Sequence, residues 1–272
     1  MATVTELRYY PVKGCAGVGA AQAELTRAGL AHDRAFMVVD EQGVFRSQRR
    51  DPLLAAVRPA VEDDGRRLTL TAPGAEPVTV AIDTDGPRRE VRLFGAPFLG
   101  IDQGDDAADW FSGVLGAHSR LVRVPPEHDR VTDGLIPGTS GYADSCAVHL
   151  LSRSSLDRFN ELSGVAALSV DRFRPNVVVD GWAEPHTEDR ARRIAVGDAE
   201  LGYAKLAIRC SVTLVDQSSG AKAGPEPLRT LARYRRAAAG GVAFGSKFAV
   251  LRPGTLRVGD ELAVGAWGAS EL

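Results

Sequence analysis

The chain has 272 residues, 44% hydrophobic and 25% charged, with 33 Lys and Arg against 35 Asp and Glu for a net charge of −2. That balance excludes a nucleic-acid binder driven by bulk charge, though not a local basic pocket, and no apolar run reaches the roughly 18 residues of a membrane span. One large or two modest globular domains are expected, and 29 glycines and 15 prolines predict many turns between short strands.

Met1 to Leu7 shows no basic stretch followed by an apolar one, so no signal peptide is expected. Strands are expected from Val4 to Tyr10 and over Phe36–Asp40, the latter closed by the turn Glu41-Gln42-Gly43. Leu68–Thr71 and Val78–Ile82 read as a hairpin across Pro73-Gly74, and Val91–Phe94 follows Gly86-Pro87. This spacing is that of a small β-barrel or sandwich. Asp106–Leu115 reads as a helix with Trp110, Phe111 and Leu115 on one side, and Gly116-Ala117-His118 marks a boundary near residue 118.

Pro125 to Gly141 reads as a long, turn-rich loop of the kind that often carries function. Ser152–Leu162 has a capping serine and Leu156, Phe159 and Leu162 at helical spacing. Glu226–Ala238 reads as a third helix, with Leu228, Leu231 and Tyr234 inward and its arginines outward on a solvated face. Val196–Leu201 and Val258–Leu262 both place Gly-Asp at a turn beside an apolar strand, which is hairpin chemistry.

Several chemistries lack their residues. There is no GxSxG elbow, P-loop, HExxH or dinucleotide GxGxxG. His32, His118, His128, His149 and His186 do not cluster in sequence, and Cys15, Cys146 and Cys210 form neither a CxxC pair nor a zinc spacing. Free thiols fit a reducing cytoplasm. Cys210 stands out because it follows Arg209 at the end of an apolar run, a candidate thiolate able to attack electrophiles or bind a soft metal.

Cys210 has company. Tyr10-Pro11-Val12-Lys13-Gly14-Cys15, Gly29-Leu30-Ala31-His32-Asp33-Arg34, Asp171-Arg172-Phe173-Arg174-Pro175-Asn176 and Arg209-Cys210 come in the order seen in two-domain MOSC proteins. Thr213 to Gly220 and Gly254 to Asp260 extend the match, as a strand and turn and as a closing β-hairpin. The chain thus resembles this molybdenum-cofactor family, which includes the mitochondrial amidoxime-reducing components and bacterial relatives. The resemblance implies a mixed, predominantly β fold: an N-terminal β-barrel-like domain over 1–118, then a MOSC β-barrel domain over 119–272 with a few helices.

The resemblance also implies roles. Cys210 would ligate molybdenum, and Asp144 would stand near the metal, orienting substrate or relaying protons. Lys13, Arg34 and Arg174 would hold the phosphate and pterin, Asn176 would add amide hydrogen bonds, and Ser145 and Cys146 would line the pocket. The elementary chemistry agrees: an anionic cofactor suits arginines, whose planar forks make paired hydrogen bonds. This chain departs from the family pattern at Gly14, where serine is common, at Ile208, which makes the rim beside Arg209 more apolar, and at Cys146, a second thiol.

The implied activity is reduction of N-oxygenated small molecules such as N-hydroxylated amidines and hydroxylamines. No cysteine cluster for an iron–sulfur centre is present, so a separate ferredoxin, flavoprotein or haem protein would supply electrons. Neither nucleic acid nor membrane is expected as a partner. Two alternatives stand beside this reading: a cofactor-binding or sulfur-carrier protein without redox turnover, and a tailoring enzyme for a specialised metabolite.

Overall fold

The computed structural model describes residues 1–272. Seven strands close into a barrel: Ala2–Tyr9, Val177–Asp180, Val148–Ser152, Val242–Arg252, Ala199–Arg209, Ala191–Val196 and Glu261–Trp267, which returns to Ala2–Tyr9. Val148–Ser152 and Val177–Asp180 run parallel. Parallel neighbours need a crossover, and it is supplied by the helix Arg153–Ser163. Ser152 caps that helix by accepting from the Ser155 N–H, and Leu156 and Phe159 turn inward as their spacing predicts.

Val4, Leu7, Leu150, Ile194, Leu201 and Phe248 fill the barrel. A second apolar layer, with Leu151, Phe159, Phe173 and Phe244, covers its outer face beneath the helices. Val148–Ser152 is therefore buried on both faces. Burying these side chains contributes roughly 1.5–3 kcal/mol each before chain entropy is set against it.

The N-terminal segment adds a four-stranded sheet of Phe36–Val39, Arg120–Arg123, Ala96–Asp102 and Arg88–Leu93. It also adds a three-stranded sheet of Arg58–Glu62, Arg67–Ala72 and Ala75–Ala81. Val12, Phe36, Leu54, Leu70, Phe111 and Leu121 form their shared core. The Pro73-Gly74 hairpin forms as read, with Ala72 opposite Ala75. Hydrogen bonding crosses residue 118 freely: Ala2–Tyr9 is a barrel strand, and Gln22–Thr26 pairs with Gly254–Arg257.

Some sequence expectations are corrected. The third helix spans only Leu228–Tyr234, because Arg235 turns inward to the buried Asp189 carboxylate at 2.5 Å. Gly197-Asp198 does join two paired strands, but Val258–Asp260 is not a hairpin turn. The strand before it pairs with Gln22–Thr26, whereas the strand after it enters the barrel. Ser211–Leu214 is a 3-10 turn rather than a strand, since the Thr213 N–H and hydroxyl both fold back on the Cys210 carbonyl oxygen at 3.0 and 2.9 Å. Within the Pro125–Gly141 loop, Val131–Thr132 and Gly138–Thr139 pair as a small ribbon.

Candidate functional site

Two turns set the first basic residues. Gly14, at φ +85°, follows Lys13 in a tight turn. In that turn the Lys13 N–H donates to the Phe36 carbonyl and the Cys15 N–H to that of Val12. Arg34 lies between two anchor points: its N–H donates to the Tyr10 carbonyl at 2.7 Å, and its carbonyl accepts from the Tyr142 N–H at 2.9 Å. Gly141 makes that approach feasible, since a Cβ there would meet the Arg34 carbonyl oxygen at 2.9 Å.

Arg34 and Arg174 are non-glycine residues at φ +48° and +56°. Such left-handed backbone costs about 1–2 kcal/mol per residue and is retained where surrounding structure fixes it. Both guanidinium carbons lie 4.2 Å from the centroid of the Tyr10 ring. Tyr10 is itself fixed, its hydroxyl donating to the Pro175 carbonyl and its N–H to Asp33. The Asp33 carboxylate also pairs with Arg34 at 2.7 Å. Arg174 makes no pair with Asp171, which joins Arg8 instead, and donates to Gln217 at 3.1 Å.

Cys210 sits where the Ala199–Arg209 strand gives way to the 3-10 turn, and its thiol is half-buried. The Arg209 guanidinium donates to the Phe173 carbonyl at 2.8 Å, while its buried Nε has no partner. Lys13, Gly14, Arg34, Asp144, Ser145, Cys146, Arg174, Asn176, Ile208, Arg209 and Cys210 all line one cleft, with a volume of about 390 Å³. Residues from five separate stretches of chain thus meet at the junction of the barrel with the N-terminal sheets.

The cleft is strongly cationic. Lys13, Arg34, Arg49, Arg174, Lys205, Arg209 and Lys247 line it, against the single carboxylate of Asp144. Lys13 is buried, donates to the Tyr142 carbonyl at 2.9 Å and pairs with Asp144. Burial pulls the Lys13 pKa down, and the Asp144 charge offsets part of that. For Asp144, loss of solvent raises the pKa, but the Lys13 ammonium, backed by Lys247 and Arg34, holds the carboxyl well below the usual carboxylate range. Asp144 is ionised at neutral pH.

Sequence reasoning missed several lining residues. Lys247 lies on the Val242–Arg252 strand directly opposite Lys205 on one side and His149 on the other. Burial, with the Arg209 and Arg34 charges, pulls its pKa down to about 7. His149 is buried, and burial beside Lys247 keeps its ring neutral. Arg130 stands behind the lining and donates to the carbonyls of Gly141, Ala143 and Asp144, holding the loop that carries Asp144 and Ser145. Gln48 donates to the Gly14 carbonyl at 2.6 Å. No local motif marks any of these.

Some predicted residues already have protein partners. The Asn176 amide donates to the Arg8 carbonyl and accepts from the His149 N–H and Arg34, so it braces Arg34. The Cys146 thiol is buried and donates to the Asp133 carbonyl at 3.6 Å. The Ser145 carbonyl accepts from the Ser140 hydroxyl.

Residues 1–118 match the family model described as the MOSC N-terminal beta barrel domain, and residues 137–263 match the MOSC domain. The chain belongs to the two-domain MOSC family. It is similar to mitochondrial amidoxime reducing component 2 of Rattus norvegicus, 34% identical over 95% of this chain and 82% of the relative. Mitochondrial amidoxime-reducing component 1 of Mus musculus is 33% identical over 95% of this chain and 81% of its own. A molybdenum cofactor sulfurase of Danio rerio is 30% identical over 89% of this chain but only 31% of that longer protein. No helix of this MOSC protein is long and apolar enough to cross a membrane.

The donor set fits a phosphate-bearing molybdenum–pterin cofactor. A phosphate-bearing pterin needs several fixed cations, and this cleft supplies them in excess of its one carboxylate. The partnerless Nε of Arg209 is a buried donor directly beside Cys210. A soft metal needs a thiolate that solvent and substrate can approach, and Cys210 is the half-buried one of the three free cysteines.

Proposed function

We propose that this MOSC protein is an oxidoreductase that holds molybdenum cofactor in the cationic cleft and reduces N-oxygenated small molecules. Balanced for a hydroxylamine, the reaction takes R–NH–OH, two electrons and two protons to R–NH₂ and water. The electrons come from a separate donor protein. The observation that carries the reading is the convergence of the half-buried Cys210 thiol, seven cationic side chains and one ionised carboxylate in a single cleft. The similarity to amidoxime-reducing components supports the substrate class.

When bound, the cofactor would supply a two-electron centre able to accept oxygen, with Cys210 as its protein ligand. Lys13, Arg34, Arg174 and Arg209 would hold its phosphate and pterin, with Tyr10 keeping Arg34 and Arg174 in place and Asn176 bracing Arg34. Gly14, Ser145, Cys146 and Ile208 complete the lining. Asp144, kept ionised by Lys13, accepts a hydrogen bond from the N–H or O–H of the substrate and orients the N–O group. Lys247, with its pKa drawn down to about 7, can hold or release a proton in the same cleft.

Three unpaired thiols suit a reducing, cytoplasmic setting. The test is turnover of N-hydroxybenzamidine by cofactor-loaded protein with chemically reduced methyl viologen as electron source. Stoichiometric benzamidine is expected. Loaded protein that reduces neither this nor hydroxylamine would leave cofactor binding or sulfur carriage as the function.

A further inference from the structure

Two large apolar side chains stand exposed at a cleft otherwise dominated by charge. Phe94 and Ile208 are each 47% exposed, and both line it. They come from opposite partners: Phe94 from the N-terminal four-stranded sheet, Ile208 from the barrel strand that ends at Cys210.

Phe94 is there at a conformational cost. Arg88–Leu93 and Ala96–Asp102 are joined by a two-residue loop, with Leu93 opposite Ala96. Phe94 and Gly95 sit at φ +54° and +83°. A hairpin loop with both central residues at positive φ favours Asn-Gly or Gly-Gly, and a bulky residue at its first position is an outlier. Folding alone favours asparagine or glycine here.

The ring is nonetheless held in place. It packs edge-on against Phe45 with centroids 4.8 Å apart, the Lys13 ammonium lies 5.0 Å from its centroid, and the Arg49 guanidinium lies 6.0 Å away. Ile208 lies against Gly241, where a Cβ would come within 2.7 Å of the isoleucine Cγ2. Two apolar surfaces left to solvent in a charged cleft are complementary to a ligand with one polar end and one apolar end.

We propose that Phe94 and Ile208 form a lip that receives the aryl or alkyl body of the substrate, selecting N-oxygenated compounds that carry one. The N–O identity of the polar end rests on the function proposed above, whereas the lip rests on Phe94 and Ile208 themselves. The cationic floor takes the anionic cofactor, the Asp144 carboxylate takes the polar end of the substrate, and the lip removes the apolar body from water.

The test compares binding of N-hydroxybenzamidine and N-hydroxyacetamidine to oxidised holoenzyme by titration calorimetry, in wild type, Phe94→Asn and Ile208→Ser. Phe94→Asn relaxes the turn, so its Tm is expected at or above that of wild type and a binding loss is not a folding loss. Wild type is expected to prefer the aryl compound by about tenfold or more, and each variant to shrink that ratio towards one. Equal binding of the two compounds by wild type, or a ratio unchanged in both variants, overturns the lip. An aryl preference that the variants abolish, in an enzyme that reduces neither compound with methyl viologen, upholds the lip and removes the redox function.

Discussion

Lys13 donates to the Asp144 carboxylate, 131 residues further along the chain, and so ties the Tyr10–Cys15 turn to the loop before the Val148–Ser152 strand. The two ends of the pair are unequal. Lys13 is buried and keeps a second partner in the Tyr142 carbonyl, while the Asp144 side chain is 61% exposed at the cleft. Asparagine at 144 leaves Lys13 two oxygen acceptors but no counter-charge, so it costs some stability and removes the one acidic group in the cleft. Asp144→Asn is expected to fold, retain its molybdenum and lose about 10²-fold or more in kcat, measured by metal analysis and steady-state kinetics on one preparation.

Gly29 bears on the cleft without lining it. A Cβ at φ +115° and 2.7 Å from the Ala147 carbonyl oxygen has no room, and the displaced segment carries Arg34. Gly29→Ala is expected to destabilise by about 2 kcal/mol or more and to weaken cofactor retention. Chemical denaturation and pterin release on dialysis check both.

Much of this site was legible in the sequence, because the resemblance rests on short segments whose residues do converge. Tyr10 to Cys15, Gly29 to Arg34, Arg172 to Asn176 and Arg209-Cys210 all border one cleft. What escaped was set by tertiary packing. Lys247 sits in an ordinary strand pattern and becomes part of the cleft only through its register against Lys205 and His149. Phe94 reads as the end of a strand, and only its backbone conformation shows it to be the tip of a turn. Barrel closure by Ala2–Tyr9 is likewise invisible locally, since its partners lie about 170 and 260 residues away in sequence.

Arg235 shows how a buried charge overrides helical pattern. Its guanidinium meets Asp189 at 2.5 Å and donates to the Ala243 carbonyl, and the Ser246 hydroxyl also donates to Asp189. Arg235→Met would leave the buried Asp189 carboxylate without its cation, a loss of about 3–5 kcal/mol. Burial already raises the Asp189 pKa. A carboxyl with a raised folded-state pKa favours the fold most at low pH and loses that advantage as pH rises. The variant's deficit is therefore expected to be larger at pH 8 than at pH 5, as read by urea denaturation.

Lys247 gives the cofactor-free protein its own pH dependence. Its folded pKa of about 7 lies below the ordinary 10.5, so between those values the unfolded chain binds more protons and stability rises with pH. Melting temperature should therefore climb from pH 7 to pH 9 in apo protein, and less steeply in Lys247→Met. Inorganic phosphate, by adding negative charge beside the seven cationic side chains, is expected to flatten the wild-type profile towards that of the variant.

The most direct test of the central claim is the molybdenum and pterin content of wild type and Cys210→Ala, purified from a host that makes molybdenum cofactor. Near-stoichiometric molybdenum and fluorescent oxidised pterin are expected in wild type. In the variant, metal is expected to be lost from a protein that still folds. Wild type with neither metal nor pterin, or a variant that keeps its full molybdenum, would contradict the assignment of this cleft to the cofactor with Cys210 as its ligand.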